Sequence, residues 1–172
     1  MATWAGITLG CAALLVVAGL PKLRHPASTV GALRSVGLTR SGATGARALT
    51  GVEVAVGVTA IAVGNRWADA ALAAVYLGFS LFLLVALSRN APSCGCAGKL
   101  DTPPTIGHLA MTVAFAAASG VAAIIGRSTG VAAALNTGYP AQSATLIGYA
   151  AVLTCFGWAL LNLAPRADRS RT

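Results

Sequence analysis

Five long apolar runs dominate the sequence and limit the folds open to it. They cover residues 3–20, 47–64, 67–88, 107–126 and 143–163. A hydrocarbon core about 30 Å thick is crossed by roughly 20 helical residues, and only helices or closed barrels satisfy the backbone hydrogen bonds there. The runs are continuously apolar and rich in Ala and Leu, whereas barrel strands alternate and are separated by frequent turns. We therefore expect an all-α, multi-pass membrane helical bundle.

The charge balance is strongly basic and agrees with a membrane location. Of 172 residues, 12 are Lys or Arg and 4 are Asp or Glu, so the formal net charge is +8. The basic residues lie between the apolar runs or in the C-terminal tail, and they are not interleaved with aromatic residues along one accessible face. That distribution favours contact with the headgroups of the lipid bilayer and argues against a nucleic-acid partner.

Ten of the 12 basic residues fall on one side of the predicted spans. They lie in the loop after the first run, in the loop after the third run and in the tail, as Lys22, Arg24, Arg34, Arg40, Arg47, Arg89, Lys99, Arg166, Arg169 and Arg171. Because cytoplasmic loops carry an excess of Lys and Arg, we expect the N-terminus outside and the C-terminus in the cytoplasm of a cell-membrane protein. This orientation puts the loop after the third run in a reducing compartment.

The loops after the first and third runs must lie on the same membrane face, because two spans separate them. The first of these loops contains "HPASTVGALRSVGLTRSG", in which apolar residues recur at helical spacing before a Ser-Gly break. We expect a short interfacial helix near residues 26–38. Such a helix would form a lid beside the second loop.

A close cysteine pair, Cys94 and Cys96, stands in the loop after the third run. Two cysteines separated by one residue can close a small ring, and Gly95 supplies the backbone freedom that such a ring demands. A strained disulfide is easily reduced, which suits exchange better than structural cross-linking. The nearby Arg89 and Lys99 favour the thiolate over the thiol. The spacing therefore predicts thiol-disulfide exchange with Cys94 and Cys96 as the reacting pair.

Metal binding is the alternative function for the same cysteines. A Cys-x-Cys pair offers two soft thiolates to copper(I) or zinc. His25 and His108 are the two histidines of the chain and lie on the same side as the cysteines. A site of Cys94, Cys96, His25 and His108 can therefore be drawn, although its spacing matches no standard zinc module. For His108, a polar position at the start of the fourth span is the simpler interpretation.

Glu53 is the acidic residue that lies well inside a predicted span. An intramembrane carboxylate is costly unless it is paired or faces a cavity. Glu53 lies near the basic end of the second span, so Lys22 or Arg24 at the end of the first span is its expected partner. The pair would either fix the first span against the second or shape a polar pocket that takes part in proton transfer.

Three segments of the chain resemble the MauE branch of the DoxX-like membrane proteins. They are "VAGLPKLRHP", "LTGVEVAVGVTAIAVG" and "SCGCAG", which stand in this order before another apolar helix. The resemblance covers residues 13–126, and its most specific parts are the Gly-x-x-Lys-Leu-x-x-Pro segment at 19–26, Glu53 and the Cys-Gly-Cys loop at 94–96. The family's usual Cys-Gly-Cys-Phe-Gly has Ala97 in place of the aromatic residue here.

The resemblance implies a four-helix membrane bundle associated with thiol redox work. Such proteins support the maturation of disulfide-bearing exported proteins alongside a thioredoxin-like partner. We predict a MauE/DoxX-like domain over 1–126, a loop and a fifth span over 127–163, and a disordered basic tail over 164–172.

Two roles remain open for this bundle at the level of sequence. The chain is either a thiol-disulfide oxidoreductase or a non-enzymatic membrane scaffold that recruits a redox partner through its basic loops, besides the alternative that it is a membrane protein that binds or transports copper or zinc. The sequence specifies no cofactor, and a quinone that relays electrons is the one candidate.

Overall fold

A computed structural model describes residues 2–38, 42–92 and 103–126, together with Ala151 and Thr154. Over these residues the chain is helical and contains no strand. The helices are α1 (Ala2–Arg24), α2 (Ala27–Ser35), α3 (Ala43–Ala62), α4 (Arg66–Ser88) and α5 (Ile106–Ile125). All but α2 are long and apolar enough to cross a membrane. The predicted all-α, multi-pass membrane bundle is confirmed.

The first helix is longer than its apolar run suggests. It continues to Arg24, four residues beyond the predicted end at residue 20, and it contains Pro21 in its last turns. Lys22 consequently lies on the helix and is buried, instead of standing in a loop. Helix α2 then follows Pro26 and falls within the segment 26–38 for which an interfacial helix is predicted.

Local capping sets the starts of α4 and α5. Asn65 precedes α4, and its side chain accepts hydrogen bonds from the backbone N–H groups of Trp67 and Ala68 at 3.1 and 2.9 Å. Thr105 precedes α5 and accepts from the N–H of His108 at 3.2 Å. Both residues are of types that satisfy the unpaired donors at helix N-termini.

The four long helices pack as two close pairs. Helix α1 packs mainly on α3, and α4 packs mainly on α5; the pairs meet through α1 with α5 and α3 with α4. The Tyr76 hydroxyl donates a hydrogen bond to the Cys11 carbonyl at 2.7 Å and so joins α4 to α1. Large apolar side chains cover the outside of the bundle, among them Leu77, Leu81, Leu84, Ile106 and Ile124. This surface is suited to lipid and not to water.

The predicted fifth span, 143–163, lies outside the described residues except for Ala151 and Thr154, which are helical. The Thr154 hydroxyl donates to the Gly10 carbonyl of α1 at 3.4 Å. The predicted tail, 164–172, also lies outside the described residues.

Glycine permits close approach at two positions between α1 and α3. A Cβ on Gly57 would lie 2.7 Å from Val16 Cγ2 and 2.9 Å from the Ala12 carbonyl oxygen. A Cβ on Gly19 would lie 2.6 Å from Val54 Cγ2. Small residues let membrane helices pack closely in this way. By contrast, a Cβ on Gly51 would meet nothing within 4 Å.

Gly57 is crowded by α1 and Gly51 is not, so a glycine-to-alanine substitution should have opposite effects at these two positions of α3. Gly57→Ala should lower the free energy of unfolding by about 1–3 kcal/mol, because the added methyl group meets backbone across the helix pair. Gly51→Ala should be neutral or stabilising by up to about 1 kcal/mol, because alanine is the better helix former. Unfolding by SDS in mixed micelles measures both. Equal stability of the two variants would contradict the close α1–α3 contact.

Candidate functional site

A buried ion pair joins α1 to α3 near the end of the bundle where α2 lies. Lys22 Nζ is 3.3 Å from Glu53 Oε2, and the two side chains are 5% and 4% exposed. Arg24, the other predicted partner, is exposed. The structure therefore pairs Glu53 with Lys22, and Arg24 lies outside this contact.

The Gly-x-x-Lys spacing explains how the two side chains meet. Gly19 and Lys22 are three residues apart and so share one face of α1. Gly19 lets Val54 of α3 approach, which brings the neighbouring Glu53 to the level of Lys22. On α3, Glu53 lies on the inward stripe formed by Ala46, Thr50, Glu53, Gly57 and Ala60.

A third helix contributes an aromatic contact to the ammonium group. Lys22 Nζ lies 5.1 Å from the centroid of the Phe79 ring on α4. A cation over an aromatic face is stabilised by the ring quadrupole, and more strongly where water is excluded. The lysine thus connects α1, α3 and α4 at a single point.

An apolar cavity of about 400 Å³ adjoins the ion pair. It lies between α3 and α4 and is covered at one end by α2. Its charged lining residues are Lys22 and Glu53, and Thr29 of α2 adds a hydroxyl. The remaining walls are apolar and come from Ala32, Leu33, Leu49, Val52, Ala74, Val75, Gly78, Phe79 and Phe82. Lys22 also borders a smaller cavity of about 50 Å³ between α1, α4 and α5.

The C-terminal ends of α2 and α4 have the same local structure. In each, the backbone N–H of the second residue after the C-cap donates a hydrogen bond to the carbonyl five residues earlier. The N–H of the residue before it donates to the carbonyl three residues earlier, and the two bonds together form a Schellman motif. Gly37, with φ of 90°, occupies the left-handed position after α2. Asn90, with φ of 47°, occupies it after α4.

These two helix ends also contact each other. Val36 of the first motif packs in one cluster with Ala86 and Ala91 of the second. The guanidinium of Arg89 reaches α2, where its Nη1 would lie 2.7 Å from a Cβ on Gly37. Its positive charge there complements the partial negative charge at the C-terminus of α2. The first loop and the start of the cysteine loop are therefore neighbours, as their position on one membrane face requires.

Of the other predicted site residues, the structure describes the two histidines but not the two cysteines. Cys94 and Cys96 lie outside the described residues. His25 is exposed between α1 and α2, and His108 is buried with 3% exposure in the first turn of α5. Within the described ranges, no three His, Cys, Asp or Glu side chains are grouped as a metal site would need.

Two residues of this site are not indicated by the sequence pattern. Phe79 stands in a continuous apolar run with no local signal that it faces a lysine. Thr29 is a single hydroxyl residue on a short helix, and nothing near it in the sequence indicates a cavity. Outside this site, Asp69 is also buried, with 1% exposure in the first turn of α4, whereas its position beside Trp67 suggests an interfacial carboxylate.

A comparison with protein families finds that residues 1–126 match the model of the family described as methylamine utilisation protein MauE. The chain belongs to the MauE family. The match includes all five described helices, the Lys22–Glu53 pair and the Cys-Gly-Cys loop. No curated protein and no solved structure shows detectable similarity to this MauE-family chain.

The buried pair predicts a specific pattern of stability. Glu53→Gln and Lys22→Met should each lower the free energy of unfolding by about 3–5 kcal/mol, because each leaves one charge buried without its partner. The double variant Lys22→Met/Glu53→Leu should lose less than either single variant, since no uncompensated charge remains. The exchanged variant Lys22→Glu/Glu53→Lys should recover part of the stability that each single variant loses. Denaturant titration in detergent measures all four.

Arg24→Met is the matched control, because Arg24 is an exposed cation on the same helix. It should change stability by less than about 0.5 kcal/mol. If Glu53→Gln were as stable as the wild type, Glu53 would be hydrated and not paired.

Proposed function

We propose that this MauE-family protein exchanges disulfides with a thioredoxin-like partner at the membrane surface, through Cys94 and Cys96. The observation that supports this most is the contact between α2 and the end of α4. It gives an ordered attachment to the segment that leads into the cysteine pair. Ala91, three residues before Cys94, is 5% exposed and packs against Val36. Three peptide units span at most about 11 Å, so chain connectivity keeps Cys94 near this contact.

The chemistry needs only the two proteins. A thiolate of the pair attacks one sulfur of the partner's disulfide, a mixed disulfide forms, and the partner's other sulfur leaves as a thiolate. The second cysteine of the pair then attacks the mixed disulfide and releases the partner as a dithiol. Cys94 and Cys96 end as a disulfide, and the partner has gained the two electrons that they lost. The reverse sequence oxidises the partner.

Charge around this face supports an approach by such a partner. Arg24 and Arg34 are exposed at the ends of α1 and α2, and Arg89 is exposed just after α4. Cations near a thiol lower its pKa in general and raise the fraction present as the nucleophilic thiolate. The same cations steer an acidic partner surface towards the loop.

Single-cysteine variants test the exchange step. Cys94→Ser or Cys96→Ser should accumulate a mixed disulfide with a thioredoxin-like protein, because the remaining thiol attacks and no neighbouring thiol resolves the adduct. Non-reducing electrophoresis followed by mass spectrometry of the captured band identifies the adduct. The capture should disappear when reductant is added.

The double variant Cys94→Ser/Cys96→Ser is the control. It retains Cys155 and also Cys11, which is only 2% exposed inside the bundle. It should capture nothing, and any adduct that it forms measures the background from these two thiols. Non-covalent partner binding without any adduct in either single variant would instead indicate the scaffold role. Stoichiometric binding of zinc or copper(I) to the wild type, with no adduct in either single variant, would replace exchange by metal binding.

A further inference from the structure

The cavity beside the ion pair opens between α3 and α4 on the lateral surface of the bundle, which would face lipid. Four of its lining residues lie on the outer surface of the bundle: Leu49 is 45% exposed, Val52 is 56% exposed, and Ala74 and Gly78 are exposed on α4. A ligand dissolved in lipid can therefore enter between α3 and α4 without crossing water. The volume of about 400 Å³ falls in the range of about 300–1,000 Å³ that is typical of small-molecule sites.

Three polar groups stand at the inner end of this apolar cavity. Lys22 and Glu53 contribute one charge of each sign and are in contact, so the lining carries no net charge. Thr29 is 8% exposed, and its hydroxyl has no hydrogen-bond partner among the described residues. A buried hydroxyl without a partner is costly, and a ligand acceptor would remove that cost.

We infer that this cavity binds the ring of a lipid-soluble quinone. The ring is flat, apolar on both faces and neutral, and it carries two carbonyl acceptors. Phe79 and Phe82 supply aromatic walls for such a ring, since offset and edge-to-face contacts stabilise aromatic pairs. The Thr29 hydroxyl and the remaining N–H groups of Lys22 donate hydrogen bonds to a carbonyl. The isoprenoid tail leaves between α3 and α4.

Net neutrality of the lining argues against an anionic lipid as the occupant. A phosphate or carboxylate headgroup would have to approach Lys22 while Glu53 stands 3.3 Å from the same ammonium. Repulsion between the two anions in a low-dielectric site would offset the attraction to the lysine. A neutral acceptor meets no such repulsion.

The role of a bound quinone, unlike its binding, rests on the proposed function. When the thiols of Cys94 and Cys96 become a disulfide without a protein partner, they release two electrons and two protons. A quinone takes up both electrons and both protons and becomes a quinol. The cavity reaches Phe82, which also packs on the cluster of Val36, Ala86 and Ala91. The quinone site and the cysteine loop thus lie at the same end of the bundle.

Binding of decyl-ubiquinone to the purified full-length protein in lipid nanodiscs tests the site. We expect saturable binding of one quinone per chain. An azido derivative of the same quinone should label α3 near Leu49–Val52 or α4 near Ala74–Phe82 after illumination, as located by mass spectrometry. Thr29→Val keeps the side-chain shape and removes the donor, so it should weaken binding by about fivefold.

Two glycine variants supply a matched comparison that leaves the ion pair intact. Neither Gly78 nor Gly120 would have a neighbour within 4 Å of an added Cβ, but Gly78 lines the cavity and Gly120 lies on α5 outside it. Gly78→Phe should abolish quinone binding, and Gly120→Phe should leave it unchanged. The double variant Cys94→Ser/Cys96→Ser should bind quinone as the wild type does, which separates failure of the site from failure of thiol exchange.

Four results would overturn the inference, of which three concern the quinone alone. These three are the absence of saturable binding, wild-type affinity in Gly78→Phe, and photolabelling confined to α5. Displacement of the quinone by equimolar oleate or phosphatidylglycerol would also overturn it, because the cavity would then be a general lipid groove.

Discussion

A lysine and a glutamate in contact inside an apolar bundle determine how one end of this protein is built. Neither charge is tolerable alone at that depth, because a buried ion without a partner loses its hydration and gains nothing in return. Lys22 on α1 must therefore meet Glu53 on α3, and both helices must run close enough for a 3.3 Å contact. Gly19 and Gly57 permit that approach, and the Phe79 ring on α4 contacts the same ammonium group.

The arrangement above the pair follows from this constraint. Helix α1 ends shortly after Lys22, and α2 folds back over the gap between α3 and α4, where the end of α2 packs against the end of α4. An apolar cavity remains beneath α2, with the ion pair at its inner end and an opening among lipid-facing side chains. The segment that leads to Cys94 and Cys96 starts from the same contact. The proposed redox pair and the proposed quinone cavity would therefore share one membrane face.

The sequence predicted the first four membrane helices well because their lengths and apolar character depend on the bilayer, which acts on each run separately. The sequence also limits the partner of Glu53 to Lys22 or Arg24, since an intramembrane carboxylate demands a cation and few cations are in reach; the fold selects Lys22. The apolar run ends at residue 20, but α1 continues to Arg24, because a helix that buries Lys22 against Glu53 extends past the apolar run. Phe79, Thr29 and the burial of Asp69 could not be predicted. Their environments are formed by side chains from separate helices, and no local pattern encodes that packing.

The central claim is that Cys94 and Cys96 form a working redox pair at this end of the bundle. Their redox state in cells tests it most directly. The cells are quenched with acid, all free thiols are blocked in denaturant with a membrane-permeant maleimide, the protein is reduced, and the newly released thiols are labelled with a second reagent. The account predicts that a measurable fraction carries a Cys94–Cys96 disulfide and that this fraction rises with an oxidant and falls with a reductant. Two thiols that stay reduced under every condition, oxidising ones included, would contradict it.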